Sequence, residues 1–360
     1  MGLKLDNITK LEGDEIHLKD INLELAPGSR NVILGRTLAG KTSLLRIMAG
    51  LDKPSSGRIL ADGRDITGVT VRKRSVAMVY QQFINYPSLT VYDNIASPLK
   101  MKKMSRAEID DRVQETAAIL HLETMLDRRP AELSGGQQQR TAIARALVKE
   151  ADLLLLDEPL VNLDYKLREE LREELQQIFQ QRRAIVVYTT TEPGEALMLG
   201  GNIVVLDEGR TLQAGPTPDV YHHPVTTKVA EVFSDPPINF LKGEVHADSA
   251  LLGTNIRIPL KGSMQDLAPG RYRFGVRANH LVSNAHENKD VAIQGVVALS
   301  EINGSETFIH VNHADTRLVV QENGIQSRRI GSEITLYADS GSFFVYDLEG
   351  RLVASPAASA

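Results

Sequence analysis

The 360-residue chain contains no cysteine. That excludes disulfides, thiolate metal sites and a cysteine nucleophile, and it suits a reducing compartment. A surplus of basic residues is also missing. The formal net charge is -5, whereas a general nucleic-acid binder carries a basic face, so no nucleic-acid partner is expected. No run approaches the roughly 18 apolar residues that span a bilayer. The opening M-G-L-K-L-D-N-I-T-K lacks a long apolar core and does not read as a signal peptide. Any role at a membrane is therefore expected to come through a partner.

What is present is enough for a buried core. Hydrophobic residues make up 42% and charged residues 24%, which argues against wholesale disorder. The length accommodates two domains of about 150 residues or more. The first part alternates strand and helix signals. Arg30 to Leu34 is a short apolar run ending at Gly35, and Lys41 to Met48 reads as a helix with Leu44, Leu45 and Met48 on one face. Further strands are expected at Ser75–Tyr80, Asp152–Leu156, Ala184–Tyr188 and Asn202–Asp207. Helical patterns cover Leu89–Glu132, with Ser105 and Glu108 as a capping box, and Tyr165–Gln181. Ser134 is placed to cap a helix running through Leu147. Alternation of this kind implies an α/β core with a largely parallel sheet.

Composition shifts near Asp235-Pro236-Pro237. Beyond it helix signals nearly vanish, and short runs follow at Asn255–Pro259, Tyr272–Val276, Phe308–Val311, Arg317–Val320, Glu333–Ala338 and Phe343–Asp347. Gly and Asn punctuate them, the pattern of a small β-barrel or sandwich. The expected domains are residues 1–234, with a helical subdomain at about 86–150, and a β-rich domain at 235–355. A frayed tail at 356–360 follows.

Gly35-x-x-x-x-Gly40-Lys41-Thr42 fits a phosphate-binding loop. Glycines let the backbone wrap a phosphate, and the helix start adds N–H donors and a favourable dipole. Lys41 would reach the β- and γ-phosphates and Thr42 would bind Mg²⁺. A tight turn with a solvated Lys41 would give the same letters, but the flanking strand and helix favour the phosphate reading. The run Leu153–Leu156 delivers Asp157, suited to Mg²⁺, and Glu158, placed to deprotonate an attacking water. Alone, that pair would read as an acidic strand end before Pro159.

The combination resembles the ATP-binding-cassette ATPases: an α/β P-loop nucleotide-binding domain with a helical subdomain, then a small all-β, OB- or barrel-like domain. Leu133-Ser134-Gly135-Gly136-Gln137 matches the family's signature loop, and the motifs occur in the family's order over about 230 residues. The resemblance implies that Gly35, Arg36, Thr37, Leu38, Ala39, Gly40, Lys41, Thr42 and Ser43 cradle ATP. Gln81 corresponds to the glutamine that links the γ-phosphate and Mg²⁺ to the membrane partner. Asn162-Leu163-Asp164 matches the D-loop. Two such domains face head to tail in this family, so Ser134, Gly135, Gly136 and Gln137 would touch a nucleotide held by the partner chain.

Three departures stand out. The aromatic residue that stacks on adenine is replaced, by alignment, with Glu12. The switch histidine is replaced by Thr191, whose shorter hydroxyl falls short or needs a bridging water. His222 and His223 read as solvated linker residues, not replacements. Within the P-loop, Leu38 is bulky where backbone freedom usually helps. Two of the three elements of this chain's own site are altered, while the signature loop is intact.

The layout is similar to ATPase subunits of maltose and glycerol-phosphate importers. The wording T-L-A-G-K-T-S, V-Y-Q-Q-F-I-N-Y-P and Y-T-T-T-E-P resembles ATPase subunits of bacterial glycerol importers more closely. The resemblance implies a peripheral ATPase on the cytoplasmic face of a bacterial inner membrane, with ATP and Mg²⁺ as cofactors. Its partners would be two integral membrane permease subunits, docked near Phe83–Asp93, a second ATPase chain of different sequence and, indirectly, a solute-binding protein. Two other readings stay open: a homodimeric ATPase for a maltose-like sugar or glycerol phosphate, and a soluble nucleotide-dependent regulatory protein. The β-rich domain would serve dimerisation, regulation or both.

Overall fold

Apolar runs without alternation become central strands here, because a strand covered on both faces has no polar side to show. The computed structural model describes residues 1–161, 163–253, 255–284 and 290–357. Asn162 of the expected D-loop and residues 358–360 of the expected tail lie outside the described residues. Two compact units divide the chain, Met1–Thr217 and Pro218–Ala360, a boundary ahead of the composition shift at Asp235.

In the first unit, β1 (Leu3–Glu12) and β2 (Glu15–Leu25) form an antiparallel hairpin. β3 (Arg30–Leu34) runs into the glycine loop, and α1 (Lys41–Ala49) leaves it. β4 (Ser56–Ala61) and β5 (Arg64–Asp65) complete a sheet of order β2-β1-β4-β5. After β6 (Val76–Val79) come α2 (Val91–Met101), α3 (Arg106–Ile119) and α4 (Gly135–Leu147). β7 (Leu153–Asp157), α5 (Tyr165–Gln181), β8 (Ile185–Thr190), α6 (Pro193–Leu199), β9 (Asn202–Asp207) and β10 (Arg210–Pro216) finish the unit. The second sheet has the order β10-β9-β3-β8-β7-β6. All its pairings are parallel except the edge pair of β10 with β9. Every side chain of β7 and β8 is buried, so Asp157 and Thr190 are carried to the strand ends on rigid supports. Ligands of open parallel sheets bind outside those carboxyl ends.

The helix starts follow from local hydrogen bonds. Ser105 accepts from the Glu108 N–H while the Glu108 carboxylate accepts from the Ser105 N–H, so both ends of the expected capping box form. Leu44, Leu45, Ile47 and Met48 of α1 are buried against Leu5, Ile33 and Val204, which fixes the helix on the sheet behind the glycine loop.

The second unit opens within α7 (Thr217–His222), followed by α8 (Thr227–Val232). Ten strands follow among the described residues: β11 (Asn239–Val245), β12 (Ser249–Leu252), β13 (Ile256–Pro259), β14 (Gly270–Val276), β15 (Val291–Asn303), β16 (Glu306–His313), β17 (Thr316–Asn323), β18 (Glu333–Ala338), β19 (Phe344–Tyr346) and β20 (Leu352–Ala354). They make antiparallel sheets of order β13-β12-β11-β14-β19-β20 and β17-β16-β15-β18. The sheets share one apolar core that includes Phe274, Val276, Ile293, Val311 and Leu336. This is the all-β, barrel-like domain expected from sequence. Arg277 is buried in it, stacked 3.6 Å from the Tyr221 ring centroid and donating to the Tyr221 carbonyl at 2.6 Å. Burial holds its guanidinium below the usual arginine range.

Candidate functional site: a phosphate loop facing two carboxylates

The glycines of the loop are required by their surroundings. A Cβ at Gly35 would lie 2.4 Å from the Leu206 carbonyl oxygen. Gly40 has φ 101°, a left-handed backbone that side chains rarely adopt, and its Cβ would lie 2.7 Å from the His17 carbonyl oxygen. Between them Leu38 has φ 67° and is 95% exposed. The bulky residue therefore points away from the protein and leaves the loop backbone in a tight turn, so this departure does not block the cradle.

Lys41 is buried at the start of α1. Its ammonium donates to the carbonyls of Gly35 at 2.8 Å and Arg36 at 3.0 Å, and lies 3.0 Å from Glu158 Oε1. Gln81 Nε2 donates to the other oxygen of Glu158 at 3.4 Å. One cation and one amide thus converge on a single carboxylate. Glu158 has φ 45°, an unfavourable backbone for a residue with a side chain. Strain of this kind persists where the surroundings over-determine it, and it clusters at active sites.

Thr42 Oγ1 donates to Asp157 Oδ1 at 3.1 Å. Asp157 is buried, and burial raises its pKa against the lowering effect of the Thr42 and Thr189 hydroxyls. A hydroxyl and a carboxylate this close are hard oxygen donors, the set that suits Mg²⁺. No group of three or more His, Cys, Asp or Glu side chains that could hold a metal exists among the described residues. A cation held here by Thr42 and Asp157 would complete its shell with phosphate and water oxygens, as Mg²⁺ usually does. When bound, it would neutralise charge on the phosphates.

Thr189 carries a role that the sequence did not reveal. Its hydroxyl donates to Asp157 Oδ1 at 3.0 Å and accepts from the Glu158 N–H at 2.9 Å. Thr189 sits directly opposite Asp157 in the parallel pairing of β7 with β8. One hydroxyl therefore holds the Asp157 carboxylate and the backbone of Glu158. Thr189→Val keeps the shape and removes that hydroxyl. It is expected to lower ATP turnover by about 10- to 100-fold, the usual cost of losing a supporting hydrogen bond at such a site. Single-turnover hydrolysis by the purified chain measures this.

Thr191 directly follows the end of β8. With Glu158, Val161, Thr190, Glu192 and Glu195 it lines one small recess. Beneath it the buried Glu195 accepts from the hydroxyls of Thr190 at 2.6 Å and Tyr188 at 3.0 Å. Burial raises the pKa of Glu195 and pushes that of Tyr188 well above its usual value. Thr190 is therefore committed to the fold, and Thr191 is the hydroxyl of this turn beside Glu158.

The signature loop forms a separate structure. The Ser134 hydroxyl accepts from the Gln137 N–H at 3.4 Å, and Gln137 Oε1 accepts from the Ser134 N–H at 3.0 Å, a capping box opening α4. Gly135 has open space around it, whereas a Cβ at Gly136 would fall 1.9 Å from Leu167 Cδ2 of α5. Asp164 caps α5 by accepting from the Leu167 N–H at 3.0 Å, so D-loop and signature loop are braced on the same helix. Among the described residues, no hydrogen bond joins Ser134–Gln137 to Lys41, Thr42, Asp157 or Glu158. Within the expected docking segment, Ile84 and Tyr86 are about half exposed.

This arrangement can bind a nucleoside triphosphate and hydrolyse it. Lys41 and the loop N–H groups would hold the phosphates, and Glu158 would take a proton from a water attacking the γ-phosphate. Comparison with known proteins agrees. Residues 18–161 match a family model described as ABC transporter. The uncharacterized ABC transporter ATP-binding protein YcjV of Escherichia coli (strain 536) is 34% identical over 97% of this chain and 98% of its own length. The sn-glycerol-3-phosphate import ATP-binding protein UgpC of Yersinia enterocolitica is 35% identical, covering 97% and 98%. The trehalose/maltose import ATP-binding protein MalK of Thermococcus litoralis is 35% identical, covering 96% and 97%. The dimeric ATP-binding cassette MJ0796 bound to ADP and Pi aligns with 60% of this chain and 98% of its own at 33% identity, with a TM-score of 0.54. The chain belongs to the ATP-hydrolysing ATP-binding proteins of the ABC transporters.

Proposed function

We propose that this chain is the ATPase subunit of an importer for a small polyol, glycerol. It would act at the cytoplasmic face of a bacterial inner membrane through two integral permease subunits and, indirectly, a solute-binding protein. The observation that carries the ATPase assignment is the convergence of Lys41 and Gln81 on Glu158, beside the Thr42–Asp157 pair. Among the described residues no helix is long and apolar enough to cross a membrane, so the passage belongs to partners. The relatives named for glycerol-3-phosphate and for trehalose/maltose import support a polyhydroxylated cargo. The narrower choice of glycerol rests on the wording of the P-loop, the Gln81 loop and the Tyr188–Pro193 turn.

The second ATPase chain is proposed to differ from this one. Glu12 and Thr191 depart from the usual pattern at this chain's own site, while the signature loop offered to a partner is intact. The competing reading, a homodimer serving glycerol phosphate or a maltose-like sugar, draws on the same relatives. Purification of the whole complex, followed by ATPase assays with glycerol, glycerol phosphate and maltose, separates them. Stimulation by glycerol and a second ATPase chain in the complex are expected. Stimulation by maltose alone would sink the glycerol assignment.

A further inference from the structure

We propose that the β-rich unit carries a binding site for a neutral polyhydroxylated compound of one or two sugar rings, in a cleft at the open edge of β17. The cleft measures about 500 Å³ and lies where the short turn Ala278–His280 packs beside that strand. Small-molecule sites span about 300–1,000 Å³. β17 is the last strand of its sheet. On its outer side the Val319 N–H donates to Asn239 Oδ1 at 2.6 Å, and the Val319 carbonyl accepts from Asn239 Nδ2 at 2.8 Å. Alternate residues of an antiparallel strand turn their N–H and C=O groups to opposite edges. The pairing with β16 runs without a shift from Thr316 to Asn323. Gln321 and Asn323, both lining the cleft, therefore turn their backbone groups to the same outer edge as Val319. The Asn239 cap stops an incoming strand from pairing further along, which leaves about 7–10 Å of edge, the length of two or three residues. That length suits a small molecule and not an extended peptide.

The side chains set the class of ligand. Apart from Val282, every lining residue is an amide or a carboxylate, among them Asn279, Glu306, Gln321, Glu322, Asn323 and Gln326. Glu306 and Asn323 are cross-strand partners, and Gln321 Nε2 donates to Glu306 Oε1 at 2.9 Å. The Glu322 side chain is 11% exposed. Its Oε1 accepts from the Ser283 N–H at 2.6 Å, and its Oε2 lies 3.9 Å from Arg328 Nη2. An amide donates and accepts, as a hydroxyl does, and a carboxylate accepts. Neighbouring hydroxyls of a sugar can thus give a proton to one lining group and take one from the next. Among the described lining residues there is no Lys, Arg or aromatic side chain. They offer a phosphate no cation and a nucleobase no ring. Both carboxylates are already engaged, and no described group of three metal-ligating side chains exists, so the lining does not suit a metal ion either.

The test is isothermal titration of the full chain with maltose as the probe and glycerol as a smaller one. Saturable binding of maltose is expected, with glycerol weaker because it covers less of the cleft. Asn279→Ala and Gln326→Ala each remove one amide. Each is expected to weaken maltose binding about 2- to 10-fold, the range for one neutral hydrogen bond, and the double variant should combine the losses. Asn279 is exposed and Gln326 half-buried, so thermal unfolding of the variants should match wild type. Glycerol 3-phosphate is the charged comparison. No saturable binding of maltose, or maltose binding that both variants leave unchanged, overturns the proposal. So does glycerol 3-phosphate binding that falls more in these variants than maltose binding does. ATP binding in the first unit should be the same in wild type and variants. Failure of the sugar site therefore leaves the ATPase reading standing, and a chain that binds maltose but no ATP would overturn only that reading.

Discussion

Lys41→Met is expected to abolish measurable ATP binding by the purified chain, a loss of about 10²-fold or more. The ammonium is buried and has three partners, the carbonyls of Gly35 and Arg36 and the Glu158 carboxylate. Methionine fills similar space and donates to none of them. Charge-assisted hydrogen bonds contribute about 1.5–3 kcal/mol each, and a phosphate tail would receive two of them from this group. The substitution also leaves Glu158 without the cation that faces it. Isothermal titration with ATP reads the loss, and near-wild-type affinity would remove Lys41 from the phosphate site. Thermal unfolding of the variant guards against a trivial cause. α1 is held by the buried Leu44, Leu45, Ile47 and Met48, so the fold should survive.

Much of this site was legible in the sequence because its parts are contiguous. The P-loop needs glycines at fixed places between a strand and a helix, and β3 and α1 flank it as expected. The run Leu153–Leu156 reads as a fully buried strand, and β7 carries Asp157 to its end. What was not legible depends on register. Thr189 matters because β8 lies beside β7 and sets it opposite Asp157, a pairing no spacing of letters encodes. The N-terminal hairpin is hard to read from sequence for a related reason. Asn7 and Asp20 have left-handed backbones, and three register shifts interrupt the β1–β2 ladder, so the alternation that betrays a strand is broken. The bulge at His17 is one of those interruptions. In the second unit β15 runs thirteen residues, yet the shift between Val297 and Leu299 breaks its pattern, and only its shorter neighbours were read.

Gly136→Val is expected to cost the assembled transporter about 10²-fold or more of its ATPase activity, while Glu158→Gln costs it little. The first change is steric. Even a Cβ at position 136 would fall 1.9 Å from Leu167, so the loop or α5 must shift. That displaces the Ser134–Gln137 capping box and the donors it presents. Losing one preorganised donor at a developing negative charge typically costs about 10²–10³ in rate. The second change removes the proposed base at this chain's own site, where, on the two-chain reading, Thr191 would be the weaker donor. If two different ATPase chains share the work, the fast site is the partner's, completed by this chain's signature loop. Glu158→Gln then silences only the slow site. Steady-state ATPase of the purified complex, with each variant built into this chain alone, decides the matter. A homodimer would carry both changes at both sites and lose activity from either one. Comparable large losses from Gly136→Val and Glu158→Gln would therefore refute the division of labour, and a loss from Gly136→Val alone would place this chain's main catalytic contribution at a nucleotide bound by its partner.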